Sequence, residues 1–365
     1  MKKAKKSKIN QSKNTEKQKP NLIDKKKYKE PLVLAGHKIE LGQDLSLEIE
    51  VGRLYDSTPL SIPVRVIRGK KMGARLFLSA GIHGDEINGV EILRRVLNFH
   101  ALRKIAGTLI VVPIVNVFGF NRRSRYFLDR RDLNRSFPGS TNGSLAAQVA
   151  AIFMKEIVNS CQYGIDFHTG SLHRSNLPQI RAWLMDQATK NLALAFSTPV
   201  ILNSTIRDGS LRQAALERGL PMLLFEGGEA LRFNENAIRS GVYGTLAVMH
   251  SLGMINFNIC CEMKKSFIAK SSHWIRAPRS GILGNRKKLG ERIKKNETLG
   301  IIYDLLGKEK TTVKALYTGI IIGMIKLPLI NRGDALFHIA TFNEPDLIEE
   351  KVSEYSDLLD DDVWG

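Results

Sequence analysis

Cysteine is scarce, with three in 365 residues: Cys161, Cys260 and Cys261. An odd number that includes an adjacent pair makes no disulfide framework. None has the CxxC spacing of a thiolate zinc site, so they read as buried or idle thiols in a reducing compartment. Long apolar runs are missing as well. No stretch approaches the roughly 18 apolar residues of a membrane-spanning helix. The N-terminal stretch is basic but lacks the apolar segment of a secretory signal. The expectation is a soluble, cytoplasmic chain. HExxH, the helix-borne motif of many metalloproteases, is absent too.

Acidic residues are outnumbered: 36 Asp and Glu against 55 Lys and Arg leave a net charge of +19. Part of the excess is local. Residues 1–30 hold 12 Lys and three acids and show no apolar periodicity, which predicts a disordered basic tail that keeps the chain soluble. A basic tail can also touch nucleic acid, but no nucleic-acid module accompanies it and aromatic interleaving is modest, so no specific nucleic-acid partner is expected. The rest is the composition of a folded protein, 43% hydrophobic and 25% charged with 30 Gly. Its length suits one large domain and a smaller one.

From 31 to 258 the pattern alternates strands and helices. Short strands are predicted at 45–51 and 62–67, and an apolar strand at 75–80 runs into Gly81-Ile82-His83-Gly84. A helix is expected from Asp85. The run 108–117 is apolar throughout, as in a strand buried on both faces. Ser144 can cap a helix with apolar positions 145, 149, 152, 153 and 157. Further strands are expected at 164–167, 199–202 and 222–225, with helices near 211–218 and 234–252. This alternation implies an α/β domain with a mostly parallel mixed sheet flanked by helices. From 264 to 342 the pattern changes to short strand-like runs between Gly turns, read as a small C-terminal β-barrel or sandwich domain. Residues 344–362 carry nine acids and one Lys, so 343–365 is expected to be a loose acidic tail.

His83, His168 and Glu226 each fall at the carboxyl end of a predicted strand, where open α/β sheets place their ligand crevices. His83-x-x-Glu86 on a turn entering a helix can aim an imidazole and a carboxylate at one ion. His168, in Asp166-Phe167-His168-Thr169-Gly170, supplies the third ligand. His2Glu is a catalytic zinc set that leaves a fourth position for water. An isolated HxxE is common by chance, and the weight comes from two such segments, each after an apolar strand and beside Gly. Asp166 can accept the outer N–H of a ligand histidine. A carboxylate directly after a strand, Glu226 in preference to Glu229, can serve as general base. Between the metal segments, six arginines crowd residues 122–135. Guanidinium groups there could bind a carboxylate or an oxyanion, or simply face solvent.

Taken together, His83-Gly84-Asp85-Glu86, Arg125 with Asp132-Leu133-Asn134-Arg135-Ser136-Phe137-Pro138-Gly139, Asp166-Phe167-His168-Thr169-Gly170 and Glu226-Gly227-Gly228 resemble the succinylglutamate desuccinylase/aspartoacylase family. These enzymes are relatives of the zinc carboxypeptidases. The resemblance spans about residues 50–340 in the family's motif order. It implies a zinc-carboxypeptidase-like fold, one Zn2+ per chain held by His83, Glu86 and His168, and Glu226 as general base. Asn134 and Arg135 would hold the carboxylate of a small-molecule substrate. Arg125 would polarise the scissile carbonyl, with Arg123 and Arg130 as competitors. The implied activity is deacylation of an N-acylated amino acid. The first rival is a zinc carboxypeptidase acting on a peptide or a peptide-like conjugate, and the second a non-catalytic metal-binding adaptor, which would have no use for Glu226. The sequence leaves homo-oligomerisation open.

Overall fold

The computed structural model of the protein describes residues 31–204, 207–258 and 266–360. The basic stretch 1–30 and the pair Cys260–Cys261 lie outside the described residues, and Cys161 is buried and free.

Two short strands, β1 (Leu32–Leu34) and β2 (His37–Ile39), form a hairpin. The long strands β3 (Asp44–Arg53), β4 (Pro59–Arg68) and β5 (Lys71–Ala80) follow. Next come α1 (Asn88–Leu97), β6 (Ala106–Val112), α2 (Val117–Asn121), α3 (Leu145–Glu156), β7 (Tyr163–Gly170) and β8 (Arg174–Ala182). Then α4 (Gln187–Phe196), β9 (Val200–Asn203), α5 (Leu211–Glu217), β10 (Met222–Glu229) and α6 (Glu235–Ser251) complete the α/β part. The C-terminal region holds β11 (Phe267–Ala269), β12 (Ser271–Arg276), β13 (Gly281–Gly284), β14 (Arg292–Ile293) and β15 (Thr298–Tyr303). It continues with β16 (Lys310–Lys314), β17 (Gly319–Ile325), β18 (Leu329–Ile330), β19 (Ala335–Thr341) and α7 (Pro345–Asp360).

The main sheet is mixed, and its centre, β6-β5-β7-β10, is parallel. On one side β4 and β3 continue it antiparallel, and on the other β8 does. Helices cover both faces. Along β5, Leu76 and Leu78 join the core under α1, α4 and α6, whereas Phe77 faces α3 and stacks edge-on against Phe153. A central strand buried on both faces must be apolar at every position, which is why it reads as a continuous run. Ser144 accepts a hydrogen bond from Ala147 N and caps α3.

The region after 264 is β-rich and has its own core, with Leu283, Ile302, Ile321, Leu336 and Phe337 among its residues. It is not detached from the α/β part. Strand β17 pairs antiparallel with β8, Gly323 opposite Asn176, so β17, β19 and β12 extend the main sheet. A second sheet, β16-β15-β13-β18, packs beside them.

The acidic stretch corrects an expectation. Rather than a loose tail, residues 345–360 form α7, whose Ile348, Val352 and Tyr355 are buried. These recur at i, i+4 and i+7, one helical stripe. The Tyr355 hydroxyl lies 2.7 Å from Ser240 Oγ of α6. Glu349 and Glu350 are exposed beside that stripe, and the acids of this stretch mask it in a composition-based reading. No helix among the described residues is long and apolar enough to cross a membrane.

Candidate active site

The carboxyl ends of the central strands meet at one crevice. After β5, Gly81 takes a left-handed turn (φ 63°) and His83-Gly84 packs against the start of α2. A Cβ on Gly84 would fall 2.0 Å from the Gly119 carbonyl carbon, so only glycine permits this approach. Asn116 caps α2 through Gly119 N, 2.8 Å away, and fixes the other wall. From there the chain runs into the arginine-rich loop.

Three buried groups converge. His83 Nδ1 lies 2.7 Å from Glu86 Oε1, and His168 Nδ1 lies 2.8 Å from Glu86 Oε2. The three ligand atoms fall within 4.8 Å of one another, a group that could hold a metal ion. Each imidazole turns its other nitrogen to a carboxylate. His83 Nε2 is 3.0 Å from Asp132 Oδ1, and His168 Nε2 is 2.7 Å from Asp166 Oδ2. Ser79 Oγ donates to the second oxygen of Asp166 at 2.7 Å, and Thr169 N donates to Glu86 Oε2 at 3.1 Å. Carboxylate–histidine pairs behind a ligand set fix the tautomer and leave Nδ1 free to coordinate.

The electrostatics fit a cation. Burial by itself would lower both imidazoles, but the surrounding carboxylates outweigh it: Glu86 and Asp132 raise His83, and Asp166 and Glu86 raise His168. Burial would likewise raise Glu86, yet the two histidines hold it well below the usual carboxylate range. With both imidazoles neutral, three carboxylates against Arg125 leave two negative charges in excess, which a divalent ion on the two Nδ1 atoms and Glu86 would balance. Asp166→Asn is expected to weaken metal affinity by about 10–100-fold, read by chelator competition. An unchanged affinity would show that Asp166 does not support the ligand set.

Of the three arginines weighed for the carbonyl, Arg125 is the one that reaches the cluster. Its Nη2 donates to Asp132 Oδ2 at 2.9 Å and its Nη1 to Glu86 Oε1 at 3.3 Å. Arg123 and Arg130 sit exposed at left-handed positions of the loop, φ 52° and 62°. Asn134 is buried and its side-chain oxygen accepts from Leu211 N at the start of α5, 3.0 Å away. Arg135 is exposed beside it and donates to the Asn134 carbonyl. Asp132 thus serves three partners, since it also caps this turn through Asn134 N at 2.9 Å. Its motif was legible but its role was not, because nothing local shows that it faces a histidine 49 residues earlier.

Glu226 lies on β10 directly across from His168 on β7, just before a bulge in β10. Its two oxygens are held from β8. Arg181 Nε approaches Oε1 at 3.1 Å and Asn176 Nδ2 donates to Oε2 at 2.6 Å. Neither partner was singled out from sequence. Arg207 and Arg212 stand close by. Burial above all, then the charges of Arg181 and other arginines, lowers both, Arg212 to about 10.

The model of the succinylglutamate desuccinylase/aspartoacylase catalytic domain matches residues 72–252. N-alpha-acetyl-L-2,4-diaminobutyric acid deacetylase of Halomonas elongata is 24% identical over 292 residues, 76% of this chain and 85% of that protein. Among solved structures, the product-bound ectoine utilization protein EutE of Ruegeria pomeroyi superposes with a TM-score of 0.75 at 23% identity. The alignment covers 83% of this chain and 97% of that one. A succinylglutamate desuccinylase from a Silicibacter species gives a TM-score of 0.74 at 22% identity, with the same coverage. Motifs, matched domain and shared fold agree: the chain belongs to the succinylglutamate desuccinylase/aspartoacylase family.

Proposed function

We propose that the protein is a zinc-dependent deacylase that hydrolyses the amide bond of an N-acylated amino acid. The observation that carries this reading is the convergence of His83 Nδ1, Glu86 and His168 Nδ1 in one buried cluster, with Glu226 on the neighbouring strand. A His2Glu set is a catalytic zinc set. A zinc ion there would polarise the substrate carbonyl and bring the pKa of a bound water near neutrality.

The chain's own residues divide the remaining work. Glu226 takes a proton from the attacking water and returns it to the leaving nitrogen, so that the C–N bond breaks to a carboxylic acid and an amine. Arg125 offers guanidinium N–H groups to the carbonyl oxygen as charge gathers on it. Arg135, with Asn134 fixing its turn, anchors the amino-acid carboxylate as a charge-assisted pair. The name of the Halomonas relative, a deacetylase of an Nα-acetylated amino acid, supports this substrate class.

Arg135→Ala is expected to raise KM for N-acyl amino acids by about 10–100-fold, the effect of losing one hydrogen bond to a charged group. The assay follows amine release over a panel of N-acyl amino acids beside short peptides. An unchanged KM removes Arg135 from carboxylate binding. Cleavage confined to peptides would replace the deacylase with a carboxypeptidase.

A further inference from the structure

Glu226 is not held by the α/β domain alone. Its Oε2 accepts from Asn176 Nδ2 at 2.6 Å, and Asn176 is buried on β8. The neighbour of β8 on its far side is β17 of the C-terminal region, with Gly323 directly opposite Asn176. A Cβ built on Gly323 would stand 2.8 Å from Asn176 Oδ1, 3.2 Å from the His338 Cβ and 3.7 Å from the Trp274 ring. Gly323 has no positive φ to explain it, so what calls for glycine here is space. Any side chain would press on the amide that holds Glu226.

In the C-terminal region the wall of this gap holds His338 and Trp274. The His338 imidazole on β19 stacks on the Trp274 indole of β12, centroids 4.6 Å apart and planes 7° apart. Burial first, and then the arginine charges nearby, press His338 down to about 3, so the wall is neutral. Its imidazole therefore adds no charge that would compete for Glu226.

We infer that Asn176 is a positioning residue for Glu226, and that Gly323 of the C-terminal β-region is the space that lets it act. The inference rests on Glu226 being the base. Arg181 neutralises one carboxylate oxygen, and Asn176 orients the other without altering the charge. With only Arg181, the carboxylate could rotate about its last bond and lose its line to the water. The C-terminal region then reaches the chemistry through β17.

The test uses the full-length, metal-loaded protein and the N-acyl amino acid that it cleaves best. Asn176→Ala is expected to lower kcat by about 10–100-fold with KM and metal content unchanged. Asn176→Asp keeps the shape, loses the donor and brings a like charge to Glu226, and its loss should be larger. Gly323→Ala should lower kcat by about tenfold. Combined with Asn176→Ala it should cost little more, because the atom the new methyl group would strike has gone. A purely structural role for Gly323 gives additive losses instead. Wild-type kcat in both Asn176 variants overturns the inference, and additive losses overturn the part given to Gly323. Glu226→Gln, assayed in parallel, separates the two levels. If it is inactive while the Asn176 variants are normal, only the positioning role falls. If it is active, the base assignment and this inference fall together.

Discussion

Glu226→Gln is expected to lower kcat by about 10²–10⁴-fold, the range for loss of a general acid–base group, while the protein keeps its metal and its fold. The glutamine side chain has the same shape and can still accept from Asn176, but it cannot take a proton from water. Glu226 lies outside the ligand set, so the loss of its charge leaves His83, Glu86 and His168 in place. KM should move little, since the carboxylate partners proposed here, Asn134 and Arg135, lie on a different loop. Arg181 then faces a neutral amide. The check is steady-state kinetics with metal analysis on the same sample. A rate within a few-fold of wild type would remove Glu226 as the base, and loss of metal would make it part of the ion's support.

How much of this was legible in the sequence depends on how local each signal is. Strands buried on both faces, such as β5 and β6, show as apolar runs, and capped helices such as α3 show their Ser and spacing. His83, Glu86 and His168, which the structure brings together, were legible because two of their segments sit at the carboxyl ends of such strands. Two kinds of feature escaped. Strand β8 carries Arg174, Ser175, Asn176, Gln179 and Arg181 and looks polar, so it was not recognised as a strand. Yet it lies between β10 and β17, where polar side chains reach the site crevice. Helix α4 was missed beside it. The partners on β8 that hold Glu226 went with it, because their meaning depends on pairing across 50 residues of chain.

The second kind is composition misread as disorder. In α7 the acids dominate a count of residue types, while burial is decided by Ile348, Val352 and Tyr355 alone. A stripe of three apolar residues on a polar helix is a weak signal in sequence and a sufficient one in a structure. The boundary of the C-terminal region was blurred for a related reason. Its strands have the short, Gly-punctuated pattern of a separate β-domain, but sheet pairing between β17 and β8 is not encoded in either strand's own pattern.

Removal of one of the proposed metal ligands should have the largest effect of all. His168→Ala is expected to take metal content from about one ion per chain to near zero and to cut turnover by about 10³-fold or more, since the ion is asked for several kcal/mol of transition-state stabilisation. The substitution also leaves Asp166 without its imidazole and Glu86 with one of its two, in a site where both are buried. Stripping such a partner costs about 3–5 kcal/mol, so loss of activity could reflect unfolding. Chelation of the wild-type protein supplies the other arm: activity should vanish with the ion and return with added zinc, at unchanged secondary structure. The pH dependence follows from the same charges. Burial presses the two histidines down, but the carboxylates around them win and hold both above the ordinary value. Without the ion, both imidazoles are therefore protonated below their raised pKa values, and the ion must displace those protons to bind. Apparent affinity should be flat above that range and fall as pH drops through it, by up to about 100-fold per unit where two protons are displaced. Activity that survives chelation, or metal that stays bound in His168→Ala, would reject the site. Affinity independent of pH would mean that the protons are not on these two rings.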